Sequence, residues 1–218
     1  METERTRRLE FGEEERLLRE ASPHLRAVIV AALTTGCRLG ELLSLQWSQV
    51  RRDDQGEARQ LVFPASRTKT NTARVLPLST RLRAELDLRR TAPDGNPYAA
   101  DDHVFGDVAG RRVKSINTAW RATCRRAGTA DLHFHDLRRE FRCRLLESGA
   151  RLHDVREFLG HAAIGTTSRY LRASPLGRER AIARQDGTSA EESATNGPHD
   201  KAASDGEAPK ADRNVMRH

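Results

Sequence analysis

Residues 132–141, LHFHDLRREF, place two histidines, an aspartate and two arginines at the mouth of the amphipathic run RCRLLESGA. A helix N-terminus already attracts anions through its free N–H groups and its macrodipole. His135 and Arg138, three positions apart, would add a proton-transfer group and a bidentate phosphate donor to such an end. Asp136 is expected to cap a helix that starts at Leu137, with His135 just before it and Arg138 in its first turn. A metal reading rests on His133 and His135 projecting together from extended chain. The H-x-H-x-D-H pattern of binuclear hydrolases is absent, however, and the neighbouring arginines would repel a cation. A charged helix start without function is the third reading, and His133 is expected to be a strand or loop residue outside any catalytic set.

Three more segments carry groups of the same chemical kind. In TTGCRLGELLSLQW, Arg38 lies at a helix junction between two glycines, with Glu41 three residues on. In RTKTNTARVLPL, Lys69 occupies a polar turn between two strands. In FLGHAAIGTTSRYL, His161 follows a helix-ending glycine, Thr166 or Thr167 can cap the next helix, and Tyr170 lies on it. Each has a structural reading as well: an Arg38–Glu41 ion pair, a solvated lysine, a C-capping histidine and a half-buried core tyrosine.

The elements that must position these groups are mostly helical. Residues 11–21 form a short helix with an acidic first turn. Ser22 and Pro23 open SPHLRAVIVAALTTG as N-cap and first helical residue. That run is apolar nearly all round, which predicts a buried central helix ending at Gly36. RLGELLSL is a further short helix. LQWSQVRR, ARQLVFPAS and ARVLPLS then read as a three-stranded antiparallel sheet. Ser79 caps TRLRAELDLRR, and TAPDGNPYAADD is a loop. Ile116, Trp120 and Cys124 recur at helical spacing up to Gly128, and Leu137, Phe141 and Leu145 up to Gly149. RLHDVREFLG and TTSRYLRA are the last clear helices. Residues 174–184 suggest one more, and beyond them the polar chain lacks apolar residues for a core and is expected to be disordered.

Charge narrows the partner. The chain of 218 residues is 37% hydrophobic and 32% charged, with a net charge of +7. The excess lies wholly in residues 1–172, with 31 Arg and Lys against 23 Asp and Glu, and only Lys69 and Lys114 are lysines there. Arginine suits bidentate contact with phosphate, so a nucleic-acid partner is expected. The longest apolar run, residues 25–36, is short of the roughly 18–20 residues that span a bilayer, and no signal-peptide pattern opens the chain. A soluble, cytoplasmic protein is therefore expected. Cys37, Cys124 and Cys143 have no metal-ribbon spacing and read as small buried hydrophobes.

Taken in chain order, the motifs resemble one family, the tyrosine recombinases or phage integrases, over residues 10–172. That family's signature runs T-G-x-R-x-x-E, a lysine in a β-turn, H-x-x-R, L-G-H and then a tyrosine. This chain has T-G-C-R-L-G-E, T-K-T, H-D-L-R, L-G-H and I-G-T-T-S-R-Y. The resemblance implies a mainly α (α+β) catalytic domain over residues 1–172, helical with a small three-stranded antiparallel sheet, and a tail over residues 173–218. It implies site-specific DNA recombination or integration through a 3′-phosphotyrosyl intermediate, without metal, ATP or other cofactor. Tyr170 would be the nucleophile and His135 would take its proton. Arg38 and Arg138 would clamp the phosphate, His161 would donate to it, Lys69 would protonate the leaving 5′-oxygen, and Glu41 would orient its neighbours.

Implied partners are double-stranded DNA, further copies of the chain in a DNA-bound tetramer joined through residues 174–184, and accessory DNA-bending proteins. The family's N-terminal core-binding domain is expected to be absent, which leaves half a clamp and weak, salt-dependent DNA binding. The chain departs from the family at Glu140, where a small or hydroxyl residue is usual. That carboxylate is expected to pair with Arg139 or Arg142, or to weaken the clamp. Two alternatives stay open: a truncated, non-catalytic DNA-binding remnant of a mobile element, and a type IB topoisomerase or telomere-resolvase-like strand transferase.

Overall fold

Local sequence chemistry starts and stops most of the helices. The computed structural model describes residues 7–65 and 73–160. These fall in one unit, Met1–Arg178; a second, Glu179–His218, lies outside the described residues. In chain order the elements are α1 (Glu13–Glu20), α2 (Pro23–Thr35), α3 (Leu39–Leu43), β1 (Val50–Arg52), β2 (Ala58–Phe63), β3 (Arg74–Pro77), α4 (Thr80–Leu88), α5 (Asn117–Ala127), α6 (Phe134–Glu147) and α7 (Leu152–Leu159). Ser22 caps α2 through its Oγ, which accepts from the Leu25 N–H at 3.4 Å, and Ser79 does the same for α4 with Leu82 at 3.2 Å. Gly36 closes α2 with φ of 61°, a left-handed conformation that costs a residue bearing a Cβ.

The apolar, all-round pattern of α2 has the predicted consequence. Ala27, Val28, Ile29, Val30, Ala31 and Ala32 are all fully buried. The helix packs against α4 on one side and α6 on another, so it is the axle of the core. Full burial of a side chain such as Ile29 stabilises by about 1.5–3 kcal/mol. All three cysteines are free; Cys37 and Cys124 are buried and Cys143 partly so.

The sheet is antiparallel in the order β1-β2-β3. Leu61 faces Leu76 across β2 and β3, both buried, and the last pair is Phe63 with Arg74. The first strand is shorter than LQWSQVRR predicts. Residues Trp47–Gln49 form a single 3-10 turn instead. The Gln49 side chain accepts from the Gln46 N–H at 3.0 Å and donates to the Val62 carbonyl at 3.0 Å. The Trp47 and Ser48 N–H groups bond to the carbonyls of Asp102 and Ala100, so this stretch pairs with the long loop rather than with the sheet. Helix α6 also begins earlier than predicted, at Phe134. Asp136 is not its N-cap: its Oδ2 reaches back to the His133 N–H at 2.8 Å from the third helical position. His135 is therefore inside the first turn. The helices expected over TTSRYLRA and residues 174–184 lie outside the described residues.

Candidate active site

Two helix starts built alike face each other across the end of α2. At α3, Arg38 is the N-cap and Glu41 the third helical residue, and Glu41 Oε2 accepts from the Arg38 N–H at 2.8 Å. At α6, Asp136 does this for His133. Each carboxylate satisfies an orphan N–H at its helix start. His133 is an exposed helix-capping residue. Among the described residues no group of three or more His, Cys, Asp or Glu could hold a metal ion.

Arg138 is the most constrained of the expected site residues, at 6% exposure. Its Nη1 donates to the Gly36 carbonyl and its Nη2 to the Leu159 carbonyl at 2.8 Å. These are carbonyls at the C-terminal ends of α2 and α7, so one guanidinium ties two helix ends together. Burial first, and then the charge of Arg38, push the Arg138 pKa down to about 10. The group stays protonated at neutral pH, but holding that charge costs folding on the order of 3 kcal/mol. A nearby anion would relieve this cost.

Arg38 is more open, with its side chain 36% exposed, and its Nη1 lies 3.3 Å from Glu41 Oε1. The ion pair read from the sequence is therefore present. Glu41 is mostly buried. Burial works against its ionisation, yet the Arg74 guanidinium and the Arg38 N–H hold its pKa below the ordinary glutamate value. His135 lies within electrostatic reach of both arginines. Desolvation, and then the Arg138 charge, hold its imidazole below the ordinary value of 6.5, so it is neutral at pH 7 and able to accept a proton.

Sequence reasoning missed Arg74. It opens β3 within a segment quoted for Lys69, and only the fold turns it inward, to 6% exposure. Its Nη2 donates to Glu41 Oε2 at 3.0 Å and to Cys37 Sγ at 3.4 Å, and its guanidinium carbon lies 4.9 Å from the centre of the Phe63 ring. Three guanidinium groups thus gather around one carboxylate. Glu140 finds partners on its own helix and on the N-terminal segment. It accepts from Arg8 Nε at 3.1 Å, the Leu9 N–H at 3.2 Å and Arg144 Nε at 2.8 Å, so it fastens the N-terminal segment to α6. Arg38, Glu41, His135 and Arg138 are brought together; Lys69, His161 and Tyr170 lie outside the described residues.

A positive cluster near two helix starts, with a neutral imidazole beside it, has the chemistry to hold an anion next to a proton acceptor. Residues 7–176 match the phage integrase family, and the chain belongs to it. It is 31% identical over 170 residues to the shufflon-specific DNA recombinase of Escherichia coli, covering 76% of this chain and 40% of that protein. It is 28% identical over 179 residues to the integrase of Salmonella phage P22, covering 78% and 45%. The chain thus spans less than half the length of these relatives. Among solved structures, the catalytic domain of bacteriophage HP1 integrase superposes with a TM-score of 0.57 at 25% identity, over 81% of this chain and 93% of that domain. The mainly helical fold with its three-stranded sheet is that of a tyrosine-recombinase catalytic domain.

Proposed function

We propose that the chain is the catalytic part of a site-specific DNA recombinase that cuts and rejoins strands through a 3′-phosphotyrosyl link. The observation that carries this reading is the cluster of Arg38, Arg74 and Arg138 around Glu41 beside the neutral His135. Its guanidinium groups gather in a largely buried place, where burial opposes the Arg138 charge and an anion would stabilise it. A phosphodiester is such an anion. Membership of the phage integrase family supports the same chemistry, and the name of the Escherichia coli relative gives DNA as that protein's substrate.

In this reading Tyr170 Oη attacks the scissile phosphorus and its proton passes to His135. Arg38 and Arg138 hold the non-bridging oxygens, where charge grows in the transition state and fixed donors act most strongly. His161 donates to the same phosphate. The bond from phosphorus to the 5′-oxygen breaks, and Lys69 gives that oxygen a proton. The products are a 3′-phosphotyrosine and a free 5′-hydroxyl, and attack by a partner strand's hydroxyl reverses the step. Glu41 holds Arg38 in place and moves no proton. Residues 1–172 form the catalytic domain and residues 173–218 a tail in this reading, and residues 174–184 dock on a neighbouring copy in a DNA-bound tetramer assisted by DNA-bending proteins. Double-stranded DNA binding falls steeply with salt, since it rests on phosphate contacts. Among the described residues no helix is long and apolar enough to cross a membrane.

The test is a covalent adduct. Purified protein is incubated with nicked duplexes from its own genomic flanks, and SDS-resistant protein–DNA complexes are sought with Tyr170→Phe as control. Adducts with the unsubstituted protein alone support the reading. Retained DNA binding without adduct points instead to a binding remnant, and relaxation of supercoils without sequence requirement to a topoisomerase.

A further inference from the structure

Arg74 has no assigned part in the chemistry above, yet it touches several parts of the site's framework. It bonds to Glu41 on α3 and to the Cys37 thiol just before α3. It stacks on Phe63 at the end of β2. Its Nη1 lies only 3.0 Å from where a Cβ on Gly160 would stand, so it is also pressed against the end of α7. Its Nε is buried without a hydrogen-bond partner among the described residues. A buried ion pair of this kind contributes little to stability compared with apolar side chains of the same volume, because desolvation offsets the attraction. Its gain is geometric.

We infer that Arg74 is a positioning residue of this site: by holding Glu41 against β2, β3 and the end of α7, it fixes the start of α3 and so the direction of Arg38. Arg38 is itself more than a third exposed, and among the described residues its side chain is held by Glu41. Arg74 in turn restrains Glu41. The groups that face the Glu41 carboxylate are Arg38 and Cys37 at the α3 start, Arg74 from β3 and Arg138 from α6. Of these, the Arg74 charge does most to keep it ionised.

The inference rests on the proposed strand cleavage, and two readings of the full-length chain separate the two. The first is single-turnover adduct formation on a nicked duplex, with DNA affinity measured alongside. Arg74→Met should slow adduct formation about 10–100-fold while changing affinity less than about threefold, and Arg74→Lys should recover part of the rate. The second needs no activity: the Glu41 carboxyl is titrated by carbon-13 NMR, with Glu41→Gln for assignment. Its midpoint, held below the ordinary glutamate value in the unsubstituted protein, should rise in Arg74→Met. Should Arg74→Met fail to fold, Arg74→Gln gives the same two readings. An unchanged Glu41 midpoint overturns the inference, as does a loss confined to DNA affinity. If the unsubstituted protein forms no adduct, the cleavage reading fails while the Glu41 titration still decides the role of Arg74.

Discussion

Replacing Gly36 by alanine tests whether the end of α2 is built around the site. Two costs add at this position. The first is backbone strain, since φ is 61° and a Cβ in the left-handed region costs about 1–2 kcal/mol. The second is steric. The new Cβ would stand 2.3 Å from Phe141 Cδ1 and 2.8 Å from Leu159 Cδ2, both in a packed cluster that includes Val155. Overpacking of that kind costs about 1–3 kcal/mol more. Gly128 supplies the internal control. It closes α5 with φ of 71°, but a Cβ there meets nothing within 4 Å. Gly128→Ala should therefore lose about 1–2 kcal/mol and Gly36→Ala about 2–5 kcal/mol, read by urea denaturation at pH 7. The displacement should also move the Gly36 carbonyl that holds Arg138, so adduct formation by the folded fraction should fall as well. Equal losses for the two variants would refute the packing argument, and full activity in folded Gly36→Ala would refute the link to Arg138.

Three further outcomes are expected. Arg138→Lys keeps a charge but cannot reach both the Gly36 and Leu159 carbonyls, so adduct formation should drop about 10²–10³-fold; a loss under about tenfold would show that the fork geometry is dispensable. The rate of adduct formation should fall with acid as His135 gains its proton, and because its pKa is depressed, the midpoint of that limb should lie below pH 6.5 in a single-turnover profile. A midpoint above 6.5 would assign the limb to another group. Glu140→Gln should cost about 1–3 kcal/mol, since Arg8 and Arg144 lose a buried charged partner, while the cleavage rate of the folded protein stays the same. Burial opposes ionisation of Glu140, but Arg8 and Arg144 hold its pKa below the usual glutamate value. Its contribution is therefore present above pH 4.5 and fades as pH falls through the lower folded value, so denaturation curves of the two proteins should converge in acid.

What could be read from the sequence was what local chemistry decides. The all-round apolar α2, the Ser22 and Ser79 caps and the glycine stops follow from residues a few positions apart, and the structure has them where the pattern predicts. Arg38 and Glu41, three apart, were legible as a pair. The start of α6 was not, because Asp136 looks like an N-cap until the His133 N–H is seen to be its partner. LQWSQVRR alternates like a strand, but the N–H groups of Trp47 and Ser48 are taken by a loop about fifty residues away in the chain, which leaves only Val50–Arg52 to the sheet. Glu140 was legible only in part: a local arginine partner is there, Arg144 four positions on, but Arg8 lies 132 positions away. Arg74 carries no local signal, since only the antiparallel register opposite Phe63 brings it to Glu41.

The double bond-holding of Arg138 bears on how such a gene ages. A catalytic residue that only touches substrate can be lost with the shape of the protein intact, leaving a folded relic that still binds DNA. Arg138 cannot be lost so quietly, because its guanidinium also joins the ends of α2 and α7. In the proposed chemistry, a drifting copy that mutated this codon would leave two helix-end carbonyls without their donor as well as losing a phosphate contact. If strands are cut as proposed, inactive but well-folded descendants should carry their first lesions at Tyr170 or Lys69, with Arg138 still in place.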